Sequence, residues 1–192
     1  MDVALDTPRL RLRQPRLDDA AHLAGCLNNF AVAGKLARVP YPYGVADATA
    51  WLNTWRADRP AEETGFTLDL PGEGLIGHCG FHLSDGTPAI GYWLAEPFWN
   101  RGLMTEAAEA VLDWYFEVTG AEMIHSGVFH FNKASLAVQR KLGFTEIGTG
   151  MLRCLARHED LRHIDTRLTR ARWAERSDTS HKPEPQAARN PR

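Results

Sequence analysis

Residues 96–116 read EPFWNRGLMTEAAEAVLDWYF, and this stretch decides the fold class. Apolar residues recur every three or four positions from Leu103, which predicts a helix with one apolar side. Helices usually carry acidic side chains in the first turn, because the unpaired N–H groups there present positive charge. This helix opens instead with Asn100, Arg101 and Gly102. Such a start can hold a phosphate, and an ordinary turn with a nearby arginine is the alternative.

The predicted helix runs to about Val118 and carries opposite apolar and acidic stripes, so it packs one face on a sheet. The apolar stripe consists of Leu103, Ala107, Val111, Trp114 and Val118. Three strand candidates precede the helix and are joined by short turns, which predicts an antiparallel meander. They are GFTLDL at 65–70, LIGHCGFH at 75–82 and AIGYWLA at 89–95. A short apolar strand at about 123–129 follows the helix, so the strand, helix, strand order predicts one parallel pair in the sheet.

The segment after that strand, FNKASLAVQRKLGF, predicts a short helix with clear ends. Asn132 is a natural N-cap, and Gly143 with Phe144 supplies a left-handed C-cap and its hydrophobic contact. Two further strands are expected at roughly 145–155 and 162–169. The fold class is therefore α/β (α+β), with a mixed, mostly antiparallel sheet of about seven strands flanked by helices.

The N-terminal part adds a strand, a helix, a loop and a second helix. Arginines alternate with leucines from Arg9, which predicts a half-buried strand; the arginines are either a solvated outer face or a phosphate-binding ridge. AAHLAGCL at 20–27 predicts a short helix. The helix that begins near Asp47 carries Trp51 and Trp55 at helical spacing, which favours core packing over a pocket lining.

The composition favours one domain and excludes several functional classes. The chain has 192 residues, 44% of them hydrophobic, and a formal charge of -2, so there is no general basic field for nucleic acid. Three separated cysteines argue against a disulfide framework and indicate a reducing, cytoplasmic location. The chain begins without a signal-like segment and contains no run of 18 apolar residues, so no membrane partner is expected. We predict one domain at 1–175 and a disordered tail at 176–192.

The order of these elements, with WNRGLMTEA and NKASLAVQRKLGF, resembles the GNAT superfamily of acetyl-CoA-dependent N-acetyltransferases. Within it the chain is most similar to the RimJ/RimL-like subgroup of ribosomal-protein N-terminal acetyltransferases. The likeness covers residues 7 to about 169. It implies the GNAT fold, in which one parallel strand pair is splayed to hold acetyl-CoA, and it implies an acetyl-CoA co-substrate and an amine acceptor.

The resemblance also assigns site residues. The pyrophosphate of acetyl-CoA would bind the backbone N–H groups of the loop and first helical turn, which are Asn100, Arg101, Gly102, Leu103, Met104 and Thr105. The pantetheine arm would pair with the backbone of Trp93, Leu94 and Ala95, and Asn132 would lie near its end. Trp99 and Met104 depart from the general loop pattern, so Met104 must turn its side chain toward the core.

A second departure concerns the group that assists the leaving thiolate. Many superfamily members have a tyrosine where this chain has Gln139, and an amide cannot give up a proton at working pH. Ser135 matches a serine that carries this role in the ribosomal subgroup. We therefore expect Ser135 to contact the cofactor sulfur and to be the catalytic residue, chiefly by hydrogen bonding to the developing negative charge.

The general base and the acceptor are not specified by the sequence. His78 and His82 share one strand face and are candidates for the base, as is Glu96, and water can also accept the proton. The histidines show no metal-ligand spacing with Cys79 or His125, so no metal site is predicted. The acceptor would lie near residues 28–58, where Tyr41, Tyr43, Trp51 and Trp55 could enclose it and Lys35 and Arg38 could meet a carboxylate.

Two other functions remain open alongside N-acetyl transfer to a protein N-terminus or a small amine. Gln139 and the lack of an evident base are compatible with a catalytically silent acyl-CoA-binding sensor or assembly module. A contact with nucleic acid through Arg9 to Arg16 and the tail is a distant third. Members of the subgroup are monomers or homodimers, and both states are carried forward as expectations.

Overall fold

The computed structural model describes residues 3–56, 59–84 and 86–180. Within them, the strands are β1 (Ala4–Asp6), β2 (Arg11–Arg13), β3 (Gly65–Leu70), β4 (Gly74–Ser84), β5 (Thr87–Leu94), β6 (Met123–Phe129), β7 (Thr145–Cys154) and β8 (Glu159–Thr169). The helices are α1 (Ala20–Leu27), α2 (Phe30–Ala33), α3 (Val45–Leu52), α4 (Leu103–Thr119), α5 (Lys133–Lys141) and α6 (Arg170–Ser180).

The eight strands form a single sheet in the order β1-β2-β3-β4-β5-β6-β8-β7. All neighbours are antiparallel except β5 and β6, which are parallel. The predicted mixed sheet with one parallel pair is confirmed, and the sheet has eight strands where about seven were expected. The N-terminal stretch accounts for the difference, because it folds back at residues 7–10 and supplies both β1 and β2.

One face of the sheet is covered by α4 and α5, and the main hydrophobic core lies there. Leu103, Ala107 and Val111 are fully buried, as the predicted apolar stripe requires, whereas Val118 is 53% exposed. The buried side of α4 instead widens toward Leu112 and Tyr115, since α6 also covers this helix through Trp173. The helix therefore contacts more than the sheet alone, and a single stripe does not describe it.

The opposite face of the sheet is covered by α1 and α3 over its central strands and by α2 over β8 and β7. Helix α2 has four residues, too few for a periodic pattern, and the sequence did not predict it. Trp51 and Trp55 are partly buried against this second core, as the preference for core packing expects. Trp55 lies beyond the last residue of α3, so the two tryptophans do not share a helical stripe.

Helix α6 continues five residues into the segment predicted as a tail, because it ends at Ser180. Arg176, the first residue of that segment, donates a hydrogen bond to the Lys141 carbonyl (3.0 Å) and pairs with Glu109. The remainder of the predicted tail, 181–192, lies outside the described residues. The described helices include none long and apolar enough to cross a membrane.

Candidate functional site

Strands β5 and β6 diverge after a single paired position, Ala89 with His125. The hydroxyl of Ser126 donates a hydrogen bond to the Ile90 carbonyl (2.9 Å) just beyond that pair. A cavity of about 420 Å³ lies beyond the point of divergence, between the end of β5, the start of α4 and one side of α5. Polar main-chain groups of β5 that no longer face a partner strand are therefore available to a ligand there.

The start of α4 forms one wall of this cavity. Asn100 and Gly102 adopt left-handed backbone conformations, with φ of 60° and 76°, which turn the chain sharply into the helix. The first helical bond runs from the Glu106 N–H to the Gly102 carbonyl (3.1 Å). The N–H groups of Leu103, Met104 and Thr105 consequently have no acceptor within the helix, so this wall offers several donors to an anion.

No carboxylate caps this helix start among the described residues, because the nearest one is held elsewhere. Glu106 accepts hydrogen bonds from Thr7 Oγ1 (2.6 Å), Arg9 Nε (2.6 Å) and the Arg9 N–H (2.9 Å). Burial opposes ionisation of Glu106, but these bonds outweigh it and lower its pKa. The Arg9 guanidinium also donates to the Arg101 carbonyl (2.8 Å), which places a positive charge beside the loop. The sequence alone allowed two roles for Arg9, as part of a solvated outer face or as a phosphate contact.

The structure brings nine of the eleven predicted site residues to the cavity wall. They are Trp93, Leu94, Asn100, Gly102, Leu103, Met104, Thr105, Asn132 and Ser135. The side chain of Met104 is buried in the main core, away from the helix start, as the resemblance required. Two predicted residues do not line the cavity. The Ala95 N–H donates to the Ile76 carbonyl (2.8 Å), and the Arg101 guanidinium lies over the Phe98 ring, 5.6 Å from its centroid.

Ser135 lies in the first turn of α5 and faces Tyr92 of β5. Asn132 caps this helix by accepting a hydrogen bond from the Ser135 N–H (3.3 Å). The Ser135 hydroxyl donates to the Tyr92 phenol, and that phenol donates to the Ser135 carbonyl, both at 3.2 Å. Burial raises the pKa of Tyr92, so the phenol stays protonated at neutral pH. Sequence reasoning missed Tyr92, although its alternation with Ile90 and Leu94 places it on the α5 side of the sheet.

Gln139 is a structural residue in this arrangement. It is 1% exposed, and its amide nitrogen donates to Ser126 Oγ (3.0 Å) while its amide oxygen accepts from Thr166 Oγ1 (2.9 Å). These contacts join α5 to β6 and β8. The amide nitrogen also donates to the Gly127 carbonyl (3.4 Å), so neither of its N–H groups is free to act on a leaving group.

An acetyltransferase (GNAT) domain model matches residues 9–145 of the chain. The chain belongs to the GNAT family. GNAT enzymes are acyltransferases that use acetyl-CoA as co-substrate, and the predicted family, enzyme class and acyl donor are confirmed. A curated relative, the uncharacterized N-acetyltransferase p20 of Bacillus licheniformis, is 27% identical over 149 residues, which are 75% of this chain and 83% of that protein.

Solved structures of other GNAT proteins share the fold. RimJ of Mycobacterium smegmatis, in complex with CoA-disulfide, superposes with a TM-score of 0.75 at 22% identity and covers 93% of both chains. The ribosomal-protein-S5-alanine acetyltransferase of Vibrio fischeri gives a TM-score of 0.74 at 20% identity, covering 90% of this chain and 99% of that one. These likenesses confirm the predicted GNAT fold.

The histidine and glutamate candidates for a base differ sharply in environment. His78 lies between the rings of Trp51 and Trp55, with centroids 5.2 and 5.6 Å away, and burial lowers its pKa to about 3. It therefore cannot hold a proton at neutral pH. Glu96 accepts a hydrogen bond from the Asn29 amide (2.7 Å) and does not line the cavity. Of the candidate bases left open by the sequence, His78 therefore finds no support in the geometry of this GNAT domain.

Proposed function

We propose that this GNAT protein transfers the acetyl group of acetyl-CoA to a primary amine by direct attack of the amine nitrogen on the thioester carbonyl. The observation that carries the proposal is the continuity of the cavity from the open end of β5 to the bare N–H groups at the start of α4. A pantetheine arm fits the first region by strand-like pairing and a diphosphate fits the second. Arg9 and Lys141 add positive charge at the cavity rim.

Ser135 is the residue assigned to the sulfur. Its hydroxyl lies at the cavity wall beside Tyr92, and a hydroxyl in this position stabilises a departing thiolate by hydrogen bonding. Tyr92 remains protonated because burial raises its pKa, so it keeps a donor next to Ser135 throughout. The pair supplies what a single tyrosine supplies in other members, while Gln139 is committed to the core.

The acceptor is proposed to be an exposed α-amino group of a protein or peptide, with a small amine as the alternative. The fold likeness to RimJ and to a ribosomal-protein-S5-alanine acetyltransferase supports a peptide N-terminus. A peptide beginning with alanine is therefore the first probe. Membership of the RimJ/RimL-like subgroup is part of the same proposal.

The test is release of free thiol from acetyl-CoA with a panel of amines that includes the alanine peptide, with products identified by mass spectrometry. Wild-type protein should turn over at least one amine. Ser135→Ala should lower kcat about 10- to 100-fold with little change in the KM for acetyl-CoA, as removal of a transition-state donor does. Ser84→Ala, an exposed serine at the end of β4, is the matched control. Tight acetyl-CoA binding without turnover of any amine would favour the catalytically silent sensor instead.

A further inference from the structure

The two strands that diverge at the cavity each carry a glycine on the face opposite α4 and α5. Ala89 and His125 are paired and point to the same side of the sheet. Side chains two positions apart along a strand share a face, so Gly91 of β5 and Gly127 of β6 are the next residues on that side. The absence of side chains at both positions leaves room beside the backbone, where the strands separate, for groups from the neighbouring strands.

A histidine ring from an outer strand lies beside each of these glycines. The His82 ring of β4 lies near Gly91, where a side-chain β-carbon would come within 3.6 Å of its Cε1 atom. The His163 ring of β8 lies across Gly127, where a β-carbon would collide with it. The two rings therefore flank the diverging strands from opposite sides, although their residues are 81 positions apart in the sequence.

A hydrogen bond to Asp165 fixes the orientation of the His163 ring. Its Nδ1 atom is 2.9 Å from Asp165 Oδ1, and since a carboxylate only accepts, Nδ1 carries the hydrogen. In the neutral ring the lone pair is then on Nε2, which has no hydrogen-bond partner among the described residues. The His163 side chain is 19% exposed, so the protein does not cover the ring completely. Phe129 packs edge-on against the ring, with centroids 5.9 Å apart, and limits its rotation.

His82 has a different character. No described residue orients its ring by a hydrogen bond, and burial together with the charge of Arg38 lowers its pKa to about 4. A ring that stays neutral at working pH is a weak proton acceptor but adds no charge that would repel an incoming ammonium group. It suits a wall of an amine site better than a base.

We propose that the amine binds where β5 and β6 diverge, between the His82 and His163 rings, and that His163 Nε2 is the proton acceptor of the reaction, with Asp165 as its positioning residue. This inference rests on the proposed function. The nitrogen–carbon bond forms as the carbon–sulfur bond breaks; the amine proton passes to Nε2, and the electron pair of the broken bond goes to sulfur. Ser135, on the opposite face of the sheet, meets the sulfur.

The placement can be tested without knowing the acceptor, by using bromoacetyl-CoA as an affinity label. The His163 lone pair would displace bromide, so that a nitrogen–carbon bond replaces the carbon–bromine bond. Peptide mapping should find the adduct on His163, and excess acetyl-CoA should suppress it. An adduct on another residue, or none although the label competes with acetyl-CoA, would overturn the placement. Failure to bind acetyl-CoA at all would instead overturn the proposed function.

Turnover of the alanine peptide, or of the best amine in the panel, gives the second readout. His163→Ala should lower kcat about 100-fold, in the range of general base catalysis, and leave the dissociation constant for acetyl-CoA within about twofold. Added imidazole should raise the kcat of His163→Ala at least about tenfold. A purely structural role for His163 would not allow this rescue. Asp165→Asn, which keeps the shape of the side chain, should give an intermediate loss.

The control is His22→Ala, an exposed histidine of α1 that should leave kcat unchanged. Undiminished turnover in His163→Ala would contradict the assignment. The assignment would also be contradicted if His163→Ala lost activity, kept a normal far-ultraviolet circular dichroism spectrum and acetyl-CoA affinity, and did not regain activity with imidazole.

Discussion

The two faces of the sheet at the β5–β6 divergence are built in different ways. On the α4 and α5 face, the cavity presents main-chain donors and short polar side chains that come mainly from two continuous segments, 92–105 and 132–141, and Val32, Lys35 and Leu36 close one side of it. On the opposite face, side chains of β4 and β8, His82 and His163, lie beside the diverging strands, and Arg38 of the loop after α2 contributes its charge to His82. The first face is specified by local sequence and the second by tertiary assembly.

This difference explains why the acyl donor could be predicted from the sequence and the acceptor could not. A diphosphate is recognised by backbone N–H groups, whose position depends on a turn and a helix start that leave a signature in a few consecutive residues. An amine acceptor is recognised by side chains that strand order brings together. Each of the following tests changes one face and asks whether the other is affected.

The largest effect is expected from Gly102→Glu. A carboxylate at this left-handed position adds bulk and negative charge beside the free N–H groups of α4, so acetyl-CoA affinity should fall at least about 1,000-fold, or about 4 kcal/mol. Isothermal calorimetry measures the loss. Gly102→Ala carries the same backbone strain without the charge, and its β-carbon meets only Arg9, at 3.5 Å. Equal losses in both variants would mean that strain, and not charge, governs this face.

Gln139→Leu should reduce the free energy of unfolding by about 3 kcal/mol, because Ser126 and Thr166 lose their buried partner. Turnover of the protein that remains folded should change less than about threefold, since Gln139 does not act on the thioester. Urea denaturation and thiol release measure the two quantities. The variant that also carries Thr166→Val removes the hydroxyl donor left without an acceptor and should recover part of the stability. A collapse of kcat with normal stability would give Gln139 a catalytic role.

Asp19, which directly precedes α1, joins this helix to the sheet through Arg13 of β2. Helix α1 covers the face of the sheet proposed to bind the acceptor, so a change at Asp19 tests how that layer is held. Burial opposes its ionisation, but hydrogen bonds from Arg13 and from the Arg16 N–H outweigh burial and lower its pKa. Because the pKa is lower in the folded state, the stabilisation is present above about pH 4 and is lost as the pH falls through the folded-state value.

Asp19→Asn should therefore lower stability at pH 7 by about 2 kcal/mol and flatten the acid side of the stability curve measured by urea denaturation. The affinity for acetyl-CoA should not change, since the pair lies across the sheet from the helix start. If the free energy of unfolding fell in parallel for wild type and Asp19→Asn as the pH was lowered, this account would be contradicted.

The smallest effect is expected from Arg9→Ala. The guanidinium adds charge beside the Arg101–Gly102 turn, but its side chain is 47% exposed and already paired with Glu106. Acetyl-CoA affinity should weaken about threefold at low ionic strength, and the difference should shrink as salt is added. Arg11→Ala, on the neighbouring strand, is the control. A loss comparable with that of Gly102→Glu would show that side-chain charge, and not main chain, dominates this face.

Much of the fold could be predicted because its elements are amphipathic and bounded by turn residues. The caps of α5 are an example: Asn132 at its start and Gly143, with φ of 90°, just beyond its end are both where the sequence placed them. Helix α2 was missed because four residues carry no period, and α6 was missed because its sequence is polar. Tyr92 and Arg9 were present in quoted strands, but their roles depend on partners 43 and 97 residues away.

The sequence by itself determined the helix start of α4, the capped helix α5, the strand order around them and hence the family and its acyl donor. These features depend on backbone geometry over short spans, which local residue choice controls. Only the tertiary structure decided that Gln139 is committed to the core, that Glu106 is held away by Arg9, and that His82 and His163 each lie beside one glycine of the diverging strands. Those relations join distant strands through side-chain contacts, and no short stretch of sequence encodes them.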